Sequence, residues 1–168
     1  NDDKLFRMQL GCDTFFCNYV YSGFINFICK ATNSTIRYFT PREMTADGEC
    51  LSLAVQTAKL YDPAAVERLF KRKNKVEEIF YTENGDQFIQ YETKDILDPA
   101  INLRQRLQGK IVMLGFLGTY AWDKPMLDRH YTPLNKRYTG RNAPDMYGMV
   151  IHANILQMIL NGKYVRET

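Results

Sequence analysis

The apolar run inside Gly109–Phe116, with the sequence GKIVMLGF, constrains the fold more than any other stretch of the chain. Four consecutive apolar residues, Ile111–Leu114, follow a glycine–lysine turn and precede Gly115. Such a run is typical of a strand buried on both faces, as in parallel or mixed sheets covered by helices. We therefore predict an α/β fold whose mixed sheet has a central buried strand near residues 111–116.

Three helices are predicted to flank this sheet, near residues 48–61, 63–73 and 148–161. Asp47-Gly48 is taken to open the first, and Asp62-Pro63 supplies an N-cap and a first-turn proline for the second. The third has the sequence GMVIHANILQMILNG and ends at Gly162, a residue suited to a left-handed stop. Helical spacing places His152 on one face with the apolar residues Ile155, Leu156 and Ile159. The same spacing predicts a solvent-facing stripe of Asn154, Gln157 and Asn161.

Size and charge exclude several classes of protein. The 168 residues predict one domain, and 45% hydrophobic residues are enough for a core. A net charge of +3 is too mild to indicate nucleic-acid binding. The densest cationic run, Lys71–Lys75, is expected to close a helix in solvent, with contact to anionic lipid as an alternative. The longest apolar stretch, Ile111–Trp122, is too short to span a membrane.

The four cysteines do not indicate a metal site or a cofactor. Cys12, Cys17, Cys29 and Cys50 match no zinc spacing and have no histidine nearby in sequence. Buried free thiols are the expectation, and a disulfide is the alternative if the domain lies outside the cytoplasm. We expect no bound cofactor.

The functional interpretation of the sequence depends on where the histidines lie in the fold. A buried strand followed by a loop and a helix brings the helix N-terminus to the strand's carboxyl end, the edge where ligands bind in open α/β sheets. This topology would bring His152 to one rim with the strand-end glycines, Gly115 and Gly118, and with the long loop Leu117–Tyr147. We expect a hydrogen bond between His152 and this loop near Asp128 or Thr132, which either locks the loop or shapes a pocket.

An enzyme is the alternative interpretation. The side chains of Asp123, Asp128, His130 and His152 could serve a metal-assisted hydrolase, although their spacing matches no known ligand pattern. No phosphate-binding loop or serine nucleophile elbow is present in the sequence. A third interpretation is a purely structural interaction domain, which would expose a large apolar patch.

Several motifs resemble the second type of CHASE domain, an extracytoplasmic sensory domain of bacterial receptors. The resemblance rests on a glycine–lysine turn into an apolar strand, an aspartate before Thr-Pro, and Gly-x-x-x-His-Ala-Asn opening a helix. The matching residues are Gly109, Lys110, Gly115, Asp128, Thr132, Pro133, Gly148, His152, Ala153 and Asn154. Upstream, Gly23, Asn26, Arg37 and the helix over Leu51–Leu60 are similar in order to the family's middle portion.

The resemblance implies a membrane receptor with this domain on the periplasmic or extracellular side. It implies transmembrane helices beyond this chain, a cytoplasmic output module, and no catalysis within residues 1–168. The expected partner is a small-molecule or protein signal, a homodimer is an open alternative, and no nucleic acid is expected. The chain departs from the family in lacking an N-terminal segment with further strands and in having a longer loop over Leu117–Tyr147. The ligand-binding or motif residues implied are Gly115, Gly118, Asp128, Thr132 and His152, with no catalytic residue and no metal ligand.

Overall fold

A computed structural model describes residues 13, 15–16, 18–28, 35–82, 85–118, 128–135 and 143–165. Within these residues the chain forms five α-helices and six short strands. In chain order the elements are β1 (Tyr38–Phe39), β2 (Arg42–Thr45), β3 (Gly48–Leu51), α1 (Leu53–Tyr61), α2 (Pro63–Lys71), β4 (Glu77–Glu78), α3 (Thr93–Leu97), α4 (Leu103–Leu107), β5 (Arg129–His130), β6 (Met146–Tyr147) and α5 (Gly148–Asn161). A single 3₁₀ turn covers Gly85–Gln87.

The strands of the described residues form three small antiparallel pairs. These pairs are β1 with β4, β2 with β3, and β5 with β6. A parallel bridge between Phe24 and Ser52 lies outside the named strands. The predicted α/β class is confirmed. The prediction of one mixed sheet around a central strand is wrong for the described part of the chain, where the pairing is local and antiparallel.

The segment 111–118 is where the strongest expectation from sequence fails. It belongs to no strand, and its backbone makes no hydrogen bond within the described residues. Ile111 and Met113 pack against the core, whereas Val112 and Leu114 are 51% and 81% exposed. This alternation has the period of extended chain, so the segment covers the core with one face only. The run was expected to be buried on both faces, but within the described ranges it has neither strand neighbours nor a layer on its outer side.

The first predicted helix begins later than expected. Residues Gly48–Leu51 are β3, and Thr45 pairs with Gly48 across a tight turn at Ala46-Asp47. Gly48 has a φ of 120°, which a residue with a Cβ rarely adopts. The Asp-Gly pair therefore makes a hairpin turn rather than a helix start, and α1 begins at Leu53.

The other two predicted helices are confirmed. Asp62 caps α2 by accepting hydrogen bonds from the backbone N–H groups of Ala64 and Ala65. Gly162 ends α5 in the left-handed conformation, with a φ of 62°. Helix α5 packs against both α1 and α2. Its residues Ile151, Ile155 and Ile159 are at most 1% exposed, so this helix is the centre of the core.

Candidate functional site

His152 lies on the core side of α5, as its spacing predicted. It is 6% exposed, and its ring stacks on Phe27 with centroids 4.6 Å apart. Its Nδ1 atom is buried and has no hydrogen-bond partner among the residues that the structure describes. Burial lowers the pKa of His152 to about 4, while the backbone of Ile25 and the carboxylate of Asp128 act in the opposite direction. The ring is therefore neutral near pH 7. Among the described residues no hydrogen bond joins it to the loop near Asp128 or Thr132, and stacking on Phe27 positions it instead.

Asp128 and His130 lie beside this ring. The Oδ1 atom of Asp128 is 3.4 Å from Nε2 of His130. The ring of His130 also meets Phe27 edge-on, with centroids 5.4 Å apart. Phe27 thus contacts both histidines of the chain. Asp128 has a φ of 58°, and its backbone carbonyl accepts a hydrogen bond from the N–H of Gly148 at the start of α5.

Thr132 belongs to a neighbouring hydrogen-bond network centred on Asp145. The carboxylate of Asp145 accepts from the backbone N–H of Thr132 at 2.8 Å and from its hydroxyl at 2.5 Å. The N–H of Asp145 donates to the carbonyl of His130, next to the β5–β6 pair. The expected long loop therefore contains a short strand pair and a buried threonine. Hydrogen bonds with Asp145 hold this part of the loop against the residues just before α5.

The two glycines predicted to belong to the site, Gly115 and Gly118, contact the first turn of α5 and the residue before it. A Cβ on Gly115 would lie 2.5 Å from Cε of Met149, and a Cβ on Gly118 would lie 2.6 Å from the hydroxyl of Tyr147. Gly118 also has a φ of 95°. A side chain at either position would clash with its neighbour, which explains why both residues are glycine. The positive φ of Gly118 is a second reason at that position.

All five predicted site residues therefore lie around one place, the N-terminal end of α5 with β6 before it. We call this set the α5 joint: Gly115, Gly118, Asp128, Thr132 and His152. No sequence pattern points to Phe27, whose ring contacts both histidines although it lies more than a hundred residues before them. The carboxylate of Asp145 holds Thr132 in place by two hydrogen bonds, which the sequence does not reveal. Asp123 lies outside the described residues.

The metal-assisted alternative finds no support in this arrangement. In the described part of the chain, no three side chains of histidine, cysteine, aspartate or glutamate are grouped so that they could hold a metal ion. Cys50 is a free, half-buried thiol. The other three cysteines lie outside the described residues, so their predicted state stays a prediction.

A groove of about 420 Å³ runs along α5, on the side of the helix next to the one that carries His152. The helix contributes Met149, Ala153, Leu156 and Leu160 to its wall, and the segment 109–117 contributes Ile111 and Met113. The α5 residues follow the spacing i, i+4, i+7, i+11 and form a second apolar stripe. Segment 109–117 thus forms part of the groove wall and also reaches the α5 joint at Gly115.

Comparison with known families places the chain among the extracellular sensory domains of receptors. The matching family is described as CHASE2 domain, and the match covers residues 18–168. Because the match spans most of the sequence, the chain belongs to the CHASE2 family, and the resemblance noted from the motifs is confirmed. The family is sensory rather than catalytic. No curated protein and no solved structure gave a significant match.

Among the residues that the structure describes, no helix combines the length and apolar character needed to cross a membrane.

Proposed function

We propose that this domain is the extracytoplasmic sensory module of a bacterial membrane receptor and that its signal is a small molecule bound in the groove along α5. The observation that carries the proposal is the groove itself. Its volume of about 420 Å³ lies in the range of small-molecule sites, and its wall is mostly apolar with a few polar groups. The family supplies the class of function, and the groove supplies a place where a ligand fits.

Helix α5 supports this role because it forms part of both the groove and the α5 joint. Met149 lines the groove and presses its side chain against Gly115. A ligand that moves Met149 therefore acts directly on the segment 115–118 and on the first turn of the helix. In the proposed mechanism this movement repositions α5 and the loop attached to it through Asp128. In the intact receptor the change passes through transmembrane helices to a cytoplasmic output module.

The α5 joint has a positioning role in this proposal. Asp128 fixes the loop to Gly148, and Thr132 fixes the loop to Asp145. His152 fills the space beneath the loop by stacking on Phe27. These residues set the resting position of the loop relative to α5, whereas ligand contacts come from the neighbouring side of the helix, which lines the groove.

A thermal-shift screen of small molecules tests the proposal. A ligand at one hundred times its dissociation constant stabilises the folded state by about 2.7 kcal/mol, which for a domain of this size raises the melting temperature by roughly 5–10 °C. The variant Ala153→Trp fills the groove from α5, and Ala64→Trp places the same side chain at an exposed position on α2.

The proposal expects compounds that stabilise the parent domain and Ala64→Trp but not Ala153→Trp. Compounds that stabilise all three proteins equally would contradict a site in the groove. A screen without any stabilising compound would favour a protein signal instead.

A further inference from the structure

The groove along α5 has a distinct chemical character, which limits what can occupy it. Leu156 is 5% exposed, and Met113 and Leu160 are half-buried parts of the same wall. Among the described lining residues, Lys110 is the only charged one and no carboxylate is present. Lys110 is itself exposed, so its ammonium group remains in water and leaves the interior of the groove without a charge.

Most polar side chains of the groove wall lie at the C-terminal end of α5. Gly115 meets Met149 in the first turn of the helix, and Lys110 precedes Gly115 by about 17 Å of extended chain. Asn161 follows Met149 by about 18 Å along the helix axis. The two distances are similar, so Lys110 and Asn161 lie at the same end of the groove, and both residues line it. Gln157 lies at the same end, and so does Tyr61, whose hydroxyl donates to the carbonyl of Gly109. Gln90 lies at the other end, beside Gly85 and Val150, where its amide donates to the carbonyl of Gly85. The C-terminal half of the groove is therefore the more polar half.

Electrostatics argue against a charged ligand at either end. The last carbonyls of α5 carry partial negative charge, which disfavours an anion near Asn161. No described carboxylate is available to pair with a cation. Burying an unpaired charge is costly, whereas an uncharged polar group needs only hydrogen-bond partners such as the side-chain amides of Gln157 and Asn161.

We infer that the groove binds an uncharged amphiphile, with an aliphatic chain between Met113 and Leu156 and a neutral hydrogen-bonding head near Gln157 and Asn161. This inference rests on the proposed function and names the chemical class of its ligand.

Three eight-carbon probes with the same tail test the inference by isothermal titration calorimetry. Octanamide has a neutral head, octanoate an anionic one and octyltrimethylammonium a cationic one. Octanamide is expected to bind one molecule per domain, at least about tenfold more tightly than either charged probe, because neither charge finds a buried partner. The variant Ala153→Trp should abolish this binding, and Ala64→Trp should leave it unchanged.

A second substitution keeps the test independent of folding defects at Ala153. Lys110→Gln removes the only charge on the described wall, and it should change the affinity for octanamide less than threefold, about 0.6 kcal/mol. Equal binding of the three probes, or tighter binding of octanoate that Lys110→Gln abolishes, would overturn the inference. If octanamide fails to bind while another compound stabilises the domain and loses its effect in Ala153→Trp, the neutral-amphiphile inference fails and the proposed function stands.

Discussion

At the level of single residues, His152 shows how burial determines the charge of a side chain. Its ring is stacked on Phe27, and its Nδ1 atom has no hydrogen-bond partner among the described residues, so the protonated form would place a charge in a largely buried site. The carboxylate of Asp128 reduces this penalty but does not remove it, since the pKa of His152 remains lowered to about 4.

Stability should therefore fall in acid because of His152. In the unfolded chain the imidazole takes up a proton near pH 6.5, and in the folded chain it does so only near pH 4. Protonation thus favours the unfolded state, and the loss begins below pH 6.5 and is complete below pH 4. The free energy of unfolding should fall by roughly 2–3 kcal/mol over this window on account of His152, measured by urea denaturation at a series of pH values.

The variant His152→Leu isolates this contribution from that of the carboxylates. Its free energy of unfolding should approach that of the parent protein as the pH falls from 7 to 4. A constant difference between parent and His152→Leu at every pH would show that His152 does not titrate as described.

Asn154 is the residue for which the prediction from helical spacing is most clearly wrong. Its spacing with Gln157 and Asn161 predicted a solvent-facing stripe, yet Asn154 is 1% exposed. Its Oδ1 atom accepts from the backbone N–H of Thr82, and its Nδ2 atom donates to the carbonyl of Val150. Helical periodicity places side chains on faces, but it carries no information about a partner 72 positions away that satisfies a buried amide.

Substitution of Asn154 should destabilise the domain more than substitution of its neighbour on the same helix. Asn154→Leu leaves the N–H of Thr82 without its acceptor and should lower the free energy of unfolding by about 1–3 kcal/mol. Gln157→Leu removes only an exposed hydrogen bond to the hydroxyl of Thr82 and should cost less than about 1 kcal/mol. Equal losses in urea denaturation would contradict the assigned role of Asn154.

At the level of elements, local signals were reliable where local forces decide the structure. The Asp62 cap and the Gly162 stop are properties of a few adjacent residues, and both occur as predicted. The segment 111–116 was mispredicted because burial on two faces depends on neighbouring strands, which composition cannot guarantee. The α1 boundary was mispredicted because apolar spacing continues from Leu51 into the helix, although the Asp47-Gly48 pair signals a hairpin.

The unpaired segment 111–117 should promote self-association through antiparallel pairing with a second copy. Its backbone has no hydrogen-bond partner within the described residues, no charged residue interrupts it, and Leu114 is 81% exposed. An edge of this kind tends to pair, and a two-fold axis would match it with itself. Light scattering over a wide concentration range should show a monomer–dimer equilibrium.

A lysine on this edge should shift that equilibrium towards monomer. Leu114→Lys opposes pairing by adding charge, whereas Leu97→Lys makes the same change at a 76% exposed position on α3. Dimerisation should weaken in the first variant and persist in the second. A strict monomer for the parent protein at all concentrations would contradict the prediction.

At the level of the whole molecule, α5 brings together features that are far apart in the sequence. One side of the helix packs in the core with His152, a neighbouring side lines the groove beside segment 109–117, and Leu156 belongs to both. The five residues named from the sequence lie near the start of this helix, and their part in ligand binding stays a prediction. The groove was not predicted, because it forms between segments separated by tens of residues and leaves no mark in local periodicity.

Backbone amide chemical shifts of the ¹⁵N-labelled domain test the account most directly, because they report both the place where a ligand binds and how far its effect extends. The compound that most raises the melting temperature in the screen is titrated to saturation. The account predicts shift changes at Ile111, Met113, Met149 and Ala153, with further changes at Asp128–Thr132 in the α5 joint. Changes confined to the exposed aromatic residues near Tyr19 and Tyr21, with the groove unaffected, would contradict it.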